Sequence, residues 1–138
     1  MTIKFSPLAS MLVLLLGGCA TVAPDVVGSG TQLEIRQIQT REYDTLDKKL
    51  TMRSVIATLQ DLGFLIDNAD LDLGTITATR LHQYKMRMTV TVREKGGARV
   101  AVRASARIGE TSVTDPYTYQ DFFVALDKAM FLTLNKVD

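Results

Sequence analysis

Tyr84–Arg107 reads YKMRMTVTVREKGGARVAVRASAR. Tyr84, Met86, Met88, Val90 and Val92 fall on one side, and Lys85, Arg87, Thr89, Thr91 and Arg93 on the other. Ala98 to Arg107 repeats the pattern, with Val100, Val102, Ala104 and Ala106 against Arg99, Arg103, Ser105 and Arg107. Successive side chains of a strand point to opposite faces, so this period of two predicts two strands with one buried face. A two-residue Gly96-Gly97 loop sets Val92 opposite Ala101 and mixes the faces. A three-residue Lys95-Gly96-Gly97 loop keeps the apolar faces together, pairing Val92 with Val100 and Val90 with Val102. In that register Arg93 opposes Arg99 and Lys85 opposes Arg107.

The flanking segments supply the rest of a fold. Thr75 to Leu81 alternates, with Ile76 and Ala78 inward and Thr75, Thr77 and Thr79 outward, so a third strand precedes the pair. Met52, Val55, Ile56, Leu59 and Leu62 recur at helical spacing and predict a helix from about Met52 to Leu62. Thr51 suits its N-cap, Leu50 packs on Val55 as a staple, and Gly63 suits the position past its end. Phe64-Leu65-Ile66 reads as a short strand, and Asp67–Gly74 (DNADLDLG) as a solvated turn. Its Gly and missing terminal Glu do not match a calcium loop. Gln32 to Tyr43 reads as a weak first strand. Asp115 and Pro116 open a final helix whose arc is Tyr119, Phe122, Phe123, Leu126, Ala129, Met130 and Leu134. Val124 and Phe131 fall outside that arc, seven residues apart, as an exposed candidate protein contact. The prediction is α+β: a two-layer sandwich of an antiparallel four- to five-stranded sheet with two helices on one face, in the order β-α-β-β-β-β-α.

Upstream, the chain opens MTIKFSPLASMLVLLLGGCATV. Lys4 gives a positive start, Leu8 to Leu16 is apolar apart from Ser10, and Leu16-Gly17-Gly18-Cys19 follows. The run is too short for the roughly 20 apolar residues of a membrane-spanning helix. The last four residues resemble the lipobox of bacterial lipoproteins. That resemblance implies acylation of the Cys19 thiol and cleavage between Gly18 and Cys19, which removes residues 1–18. It also implies outer-membrane sorting, since Ala20 rather than Asp follows the Cys. Each buried CH₂ of an acyl chain contributes about 0.8 kcal/mol, so two or three chains such as palmitate anchor stably where one does not. Residues 19–30 then form the lipidated Cys and a flexible tether, broken by Pro24, Gly28, Ser29 and Gly30. As a coil it spans roughly 18 Å. Residues 31–138 are left as a single periplasmic domain.

Composition narrows the function. The 138 residues are 46% apolar and 22% charged, as in a globular protein. The formal net charge is +1, and setting Lys4 aside leaves 15 basic against 15 acidic residues. No basic excess points to nucleic acid. The single Cys allows no intramolecular disulfide. The only His, His82, falls in a turn. Ser54, Ser105 and Ser112 show no spacing toward a triad, and Asp67, Asp70 and Asp72 read as loop carboxylates. No enzyme, cofactor or metal site is therefore expected. One surface is unusual: Lys85, Arg87, Arg93, Arg99, Arg103 and Arg107 all point from the open sheet face. They are either a solvated face met by nearby Asp and Glu, or a candidate binding face for lipid phosphates, an acidic glycan or a partner's carboxylates.

Two segments, SVIATLQDLGFLIDNADLDLGTITATR from Ser54 and YQDFFVALDKAMFLTL from Tyr119, resemble those of small Gram-negative outer-membrane lipoproteins. The succession of helix, DLGFLID and LGTITATR is also similar to the domains of BamC, a lipoprotein of the β-barrel assembly complex. The resemblance covers Tyr43 to Leu134 and carries over no binding residues. It implies a helix-on-sheet domain used for protein contacts. The expected role is a non-enzymatic accessory or scaffold subunit of an envelope machine for barrel assembly, efflux or secretion. Its expected partners are the membrane, through the anchor, an envelope protein and a second copy of the chain. The alternative is an anionic lipid- or glycan-binding module using the Arg-rich face.

Overall fold

Alternation in the two long strands organises the molecule. The computed structural model describes residues 31–135. Lys85–Lys95 and Arg99–Ile108 are antiparallel neighbours, and Met88, Val90, Val92, Val100, Val102, Ala104 and Ala106 are all buried on one side. In chain order the elements are α1 (Gln32–Ile38), β1 (Thr40–Tyr43), α2 (Lys48–Asp61), β2 (Leu65–Asp70) and β3 (Thr75–Leu81), then β4 (Lys85–Lys95), β5 (Arg99–Ile108), β6 (Thr111–Ser112) and α3 (Pro116–Leu134). The sheet runs β1-β5-β4-β3-β2, antiparallel throughout, with β6 beside β5. The chain thus crosses from one sheet edge to the other through α2. Helices α2 and α3 pack together over one face of the sheet, so the molecule is an α+β two-layer sandwich.

The core joins the expected strand face to Met52, Val55 and Leu59 of α2 and to Tyr119, Phe122, Phe123, Leu126 and Met130 of α3; Tyr84, just before β4, and Leu134, at the end of α3, are exposed instead. Phe122 and Phe123 meet edge to face at 5.1 Å between ring centroids. Asp115 caps α3, accepting from the Tyr117 and Thr118 amides, and Pro116 opens the helix as predicted. Gly63, at φ 81°, lies just past the end of α2, also as predicted. Arg80 closes that end, with its guanidinium 4.8 Å from the Phe64 ring centroid and donating to the Leu62 carbonyl.

Four local expectations are corrected. The segment Gln32–Tyr43 is not one strand: its first part is α1, capped by Thr31 and Glu34 in a reciprocal capping box. Two side chain–amide bonds at Thr31-Gln32-Leu33-Glu34 outweigh the loose alternation. The second helix starts four residues earlier, capped by Asp47 rather than Thr51. Thr51 is instead a buried helical residue whose hydroxyl donates to the Asp47 carbonyl. Asp67 to Asp70 belong to β2, with an irregular register between Ile66 and Asn68, and only the later part of that segment turns.

The fourth correction is the hairpin register. Val92 pairs with Val102, Val90 with Ala104 and Met88 with Ala106, two residues from the predicted pairing. The loop is Gly96-Gly97-Ala98, with Gly97 at φ 85°. Burial of one face dictates which side each residue takes. It does not distinguish registers two residues apart, since both keep the same faces together.

Candidate functional site

Among the described residues no helix packs on the second face of the sheet, and the side chains there follow from the same alternation. Lys85, Arg87 and Arg93 of β4 and Arg99, Arg103 and Arg107 of β5 are all exposed there, as predicted. The predicted oppositions Arg93–Arg99 and Lys85–Arg107 do not occur. In the observed register Arg87 lies opposite Arg107 and Lys95 opposite Arg99, so like charges still face each other through different pairs.

Pairing across five strands sorts this face into rows. Asn68, Thr77, Thr89 and Ser105 form one cross-strand row, and Asp70, Thr75, Thr91, Arg103 and Thr40 form the next. A band of short polar side chains, most of them hydroxyls, therefore crosses the middle of the sheet, broken by Arg103, with the other long cationic side chains toward the strand ends. Two shallow hollows flank Thr89. One, of about 450 Å³, has Thr40, Thr91, Ala101 and Ser105 around Arg93 and Arg103. The other, of about 540 Å³, holds Lys85, Arg87 and Arg107 with Thr77, Gly109 and Glu110.

Carboxylates meet part of this charge. Glu42 of β1 takes ion pairs from Lys95 and, at 2.8 Å, from Arg99. The hydrogen bond from Lys95 is the main cause holding the Glu42 carboxyl below its usual range; desolvation opposes it, and the Lys95 and Arg99 charges add to it. Arg107 pairs with Glu110 at 3.0 Å. Among the described residues, Lys85, Arg87, Arg93 and Arg103 make no ion pair.

The opposite side of the sandwich is different. Val124 and Phe131 are 59% and 63% exposed on the outer side of α3, as predicted, and Tyr117, one further step of seven residues away, is 73% exposed. Between α3 and the sheet edge, Arg41 lies 4.9 Å from the Phe123 ring centroid and pairs with Asp127 at 2.5 Å. The Tyr43 hydroxyl donates to the same carboxylate at 2.8 Å. Burial, then the Asp127 carboxylate, pushes the Tyr43 phenol up, so it stays a donor.

The remaining candidates are placed singly. His82 is exposed in the turn between β3 and β4. Asp67 accepts from Thr79 at 2.6 Å and Asp70 from the Leu73 amide at 2.8 Å, so both serve local structure. Among the described residues, no three His, Cys, Asp or Glu side chains gather as metal ligands would. No helix among them is long and apolar enough to cross a membrane. Gly18, Cys19 and the 19–30 tether lie outside the described residues.

Sequence reasoning missed three participants: Lys95, assigned to the loop; Glu42, whose partners lie more than fifty residues away; and Tyr117. The seven-residue spacing to Val124 was a usable signal for Tyr117. Glu42 had none, because only the β1–β5 pairing brings it to the cations. The fold and its bare face define an open-faced α+β sandwich with a basic sheet surface. No protein-family model matches the chain, and no curated protein is significantly similar to it.

Proposed function

We propose that this chain is a lipid-anchored, non-enzymatic accessory subunit on the periplasmic side of the outer membrane, working as a two-sided adaptor. The observation that carries the adaptor reading is the placement of two chemically different surfaces on opposite layers of one core. Tyr117, Val124 and Phe131 line the outside of α3, while the cations line the outside of the sheet. An apolar strip rimmed by polar residues suits protein contact. The Leu16-Gly17-Gly18-Cys19 motif supports the anchor, and the envelope machine served is one of barrel assembly, efflux or secretion.

The test has two parts. Cys19→Ser in the full chain should abolish acylation and release the protein from membranes; a variant that still sediments with them at unchanged mass removes the anchor. Val124→Glu with Phe131→Glu should abolish co-purification of an envelope protein from mild detergent. If the unaltered chain is repeatedly recovered alone, the accessory reading fails. A second reading, binding of an anionic lipid or glycan, is favoured by the four cations without an acidic partner among the described residues.

A further inference from the structure

We infer that the open sheet face is a two-point site for an acidic saccharide, with one anionic group of the ligand in each hollow and its hydroxyls over the threonine band. This narrows the glycan reading of that face and holds whether or not Cys19 is acylated.

Charge provides the first argument. Arg93 and Arg103 rise beside one hollow, and Lys85 and Arg87 beside the other; none of the four has an ion-pair partner among the described residues. Arg87 also stands opposite Arg107, a placement that destabilises a sheet. Guanidinium groups bind phosphate and carboxylate through two parallel N–H bonds, so an anion in either hollow supplies the missing partner.

Separation provides the second. Arg87 and Arg93 are six residues apart on β4, which at about 3.3 Å per residue is roughly 20 Å. One small anion cannot reach both hollows. The ligand must be extended and carry charge at two places.

The floor provides the third argument. Between the cations lie Thr77, Thr89, Thr91 and Ser105, whose hydroxyls both donate and accept. They match a ligand rich in hydroxyls. Protein interfaces centre on large side chains seated in pockets, and among the described residues no hydrophobic side chain larger than the Ala101 methyl lines either hollow. A bilayer surface favours a face that inserts large apolar residues; the hollows hold none, and the exposed Leu81 opposite Lys85 and Leu65 opposite Thr79 lie at the sheet edge outside them.

The experiment uses the full chain in neutral detergent micelles, titrated calorimetrically at low salt with a heparin-derived oligosaccharide. The comparison probes are a neutral dextran oligosaccharide, inorganic phosphate, polyglutamate and phosphatidylglycerol vesicles. Arg93→Thr with Arg103→Thr should weaken oligosaccharide binding at least tenfold, and so should Lys85→Thr with Arg87→Thr. Arg36→Thr with Arg53→Thr removes equal charge from exposed helical positions and should leave affinity within twofold. Phenylglyoxal footprinting of the unaltered chain gives a readout independent of variant folding: the oligosaccharide should protect Arg87, Arg93 and Arg103 but not Arg53. The inference is overturned if the Arg36/Arg53 variant loses as much affinity, or if only one hollow matters. Stronger binding of polyglutamate, a loss of vesicle binding in the sheet-face variants as large as their loss of oligosaccharide binding, equal binding of neutral dextran or inorganic phosphate, or uniform footprinting also overturns it.

Discussion

The hydroxyl of Tyr119 closes a gap that the sheet leaves in its own ladder. Between β1 and β6 the amide of Ala106 has no strand partner; it donates to the Tyr119 oxygen at 3.2 Å, and that hydroxyl donates to the Val113 carbonyl at 2.6 Å. Gln39, also buried, donates to the same oxygen at 3.1 Å. Tyr119→Phe keeps the ring but leaves three buried groups short of a partner. It should cost about 2 kcal/mol and lower Tm by roughly 10 °C in a domain of this size, read by thermal and urea unfolding. Gly74 is the second such residue. It sits at φ 69°, and a Cβ there would overlap the Val92 carbonyl oxygen and crowd the Lys48 side chain. Gly97 has a similar φ of 85° with open space around it. Gly74→Ala should therefore cost on the order of 3 kcal/mol or more, and Gly97→Ala only about 1 kcal/mol. Equal losses in denaturant unfolding would contradict the packing argument.

Among the elements, α1 and α2 show how far amphipathic periodicity reaches. The buried side of α2 includes Thr51, Ser54 and Thr58 beside Met52, Val55 and Leu59. The Thr58 hydroxyl donates to the Ser54 carbonyl at 2.8 Å and Ser54 reaches Thr133 of α3 at 3.4 Å, so small polar residues line the contact between the helices without orphaned groups. A hydrophobicity count places these residues outside. Helix α1 is the opposite case: it buries no residue and is held locally by its capping box. Thr31→Ala removes a cap worth about 1 kcal/mol, so the amides of Ile35 to Gln39 should exchange faster with solvent. The global unfolding midpoint should barely move, because Thr31 to Glu34 are all exposed and the helix meets the core only at its other end, through Ile38. A matching fall in global stability would show that the capped first turn is coupled to the core contact at Ile38.

At the scale of the whole molecule, the sheet divides the protein into a sealed side and a bare one. The sealed side is satisfied throughout: no buried side-chain polar atom among the described residues lacks a partner. The bare side keeps cations opposite one another, and Glu42 and Glu110 relieve only some of them. Such a face is arranged at the expense of stability, as binding surfaces commonly are. Arg87→Thr should therefore stabilise the domain by roughly 0.5 kcal/mol at about 10 mM salt. The gain should shrink near 0.15 M, where the Debye length is about 8 Å. Unfolding curves at the two salt concentrations check this; a loss of stability at low salt would mean that Arg87 has a favourable partner after all.

Much of this architecture is written locally. Alternation from Lys85 to Arg107 assigned each side chain its face, Asp115-Pro116 marked where the last helix starts, and six of the seven cations of the bare face followed from parity alone, Lys95 being the exception. Those features depend on neighbours one to four residues away, a distance at which backbone geometry decides. The hairpin register, the ion pairs at Glu42, the hydroxyl row from Thr77 to Ser105 and the hub at Tyr119 have no local signature. Together they join residues as far as eighty positions apart, and only closure of the core, which selects one packing among several that leave the same faces buried, fixes them.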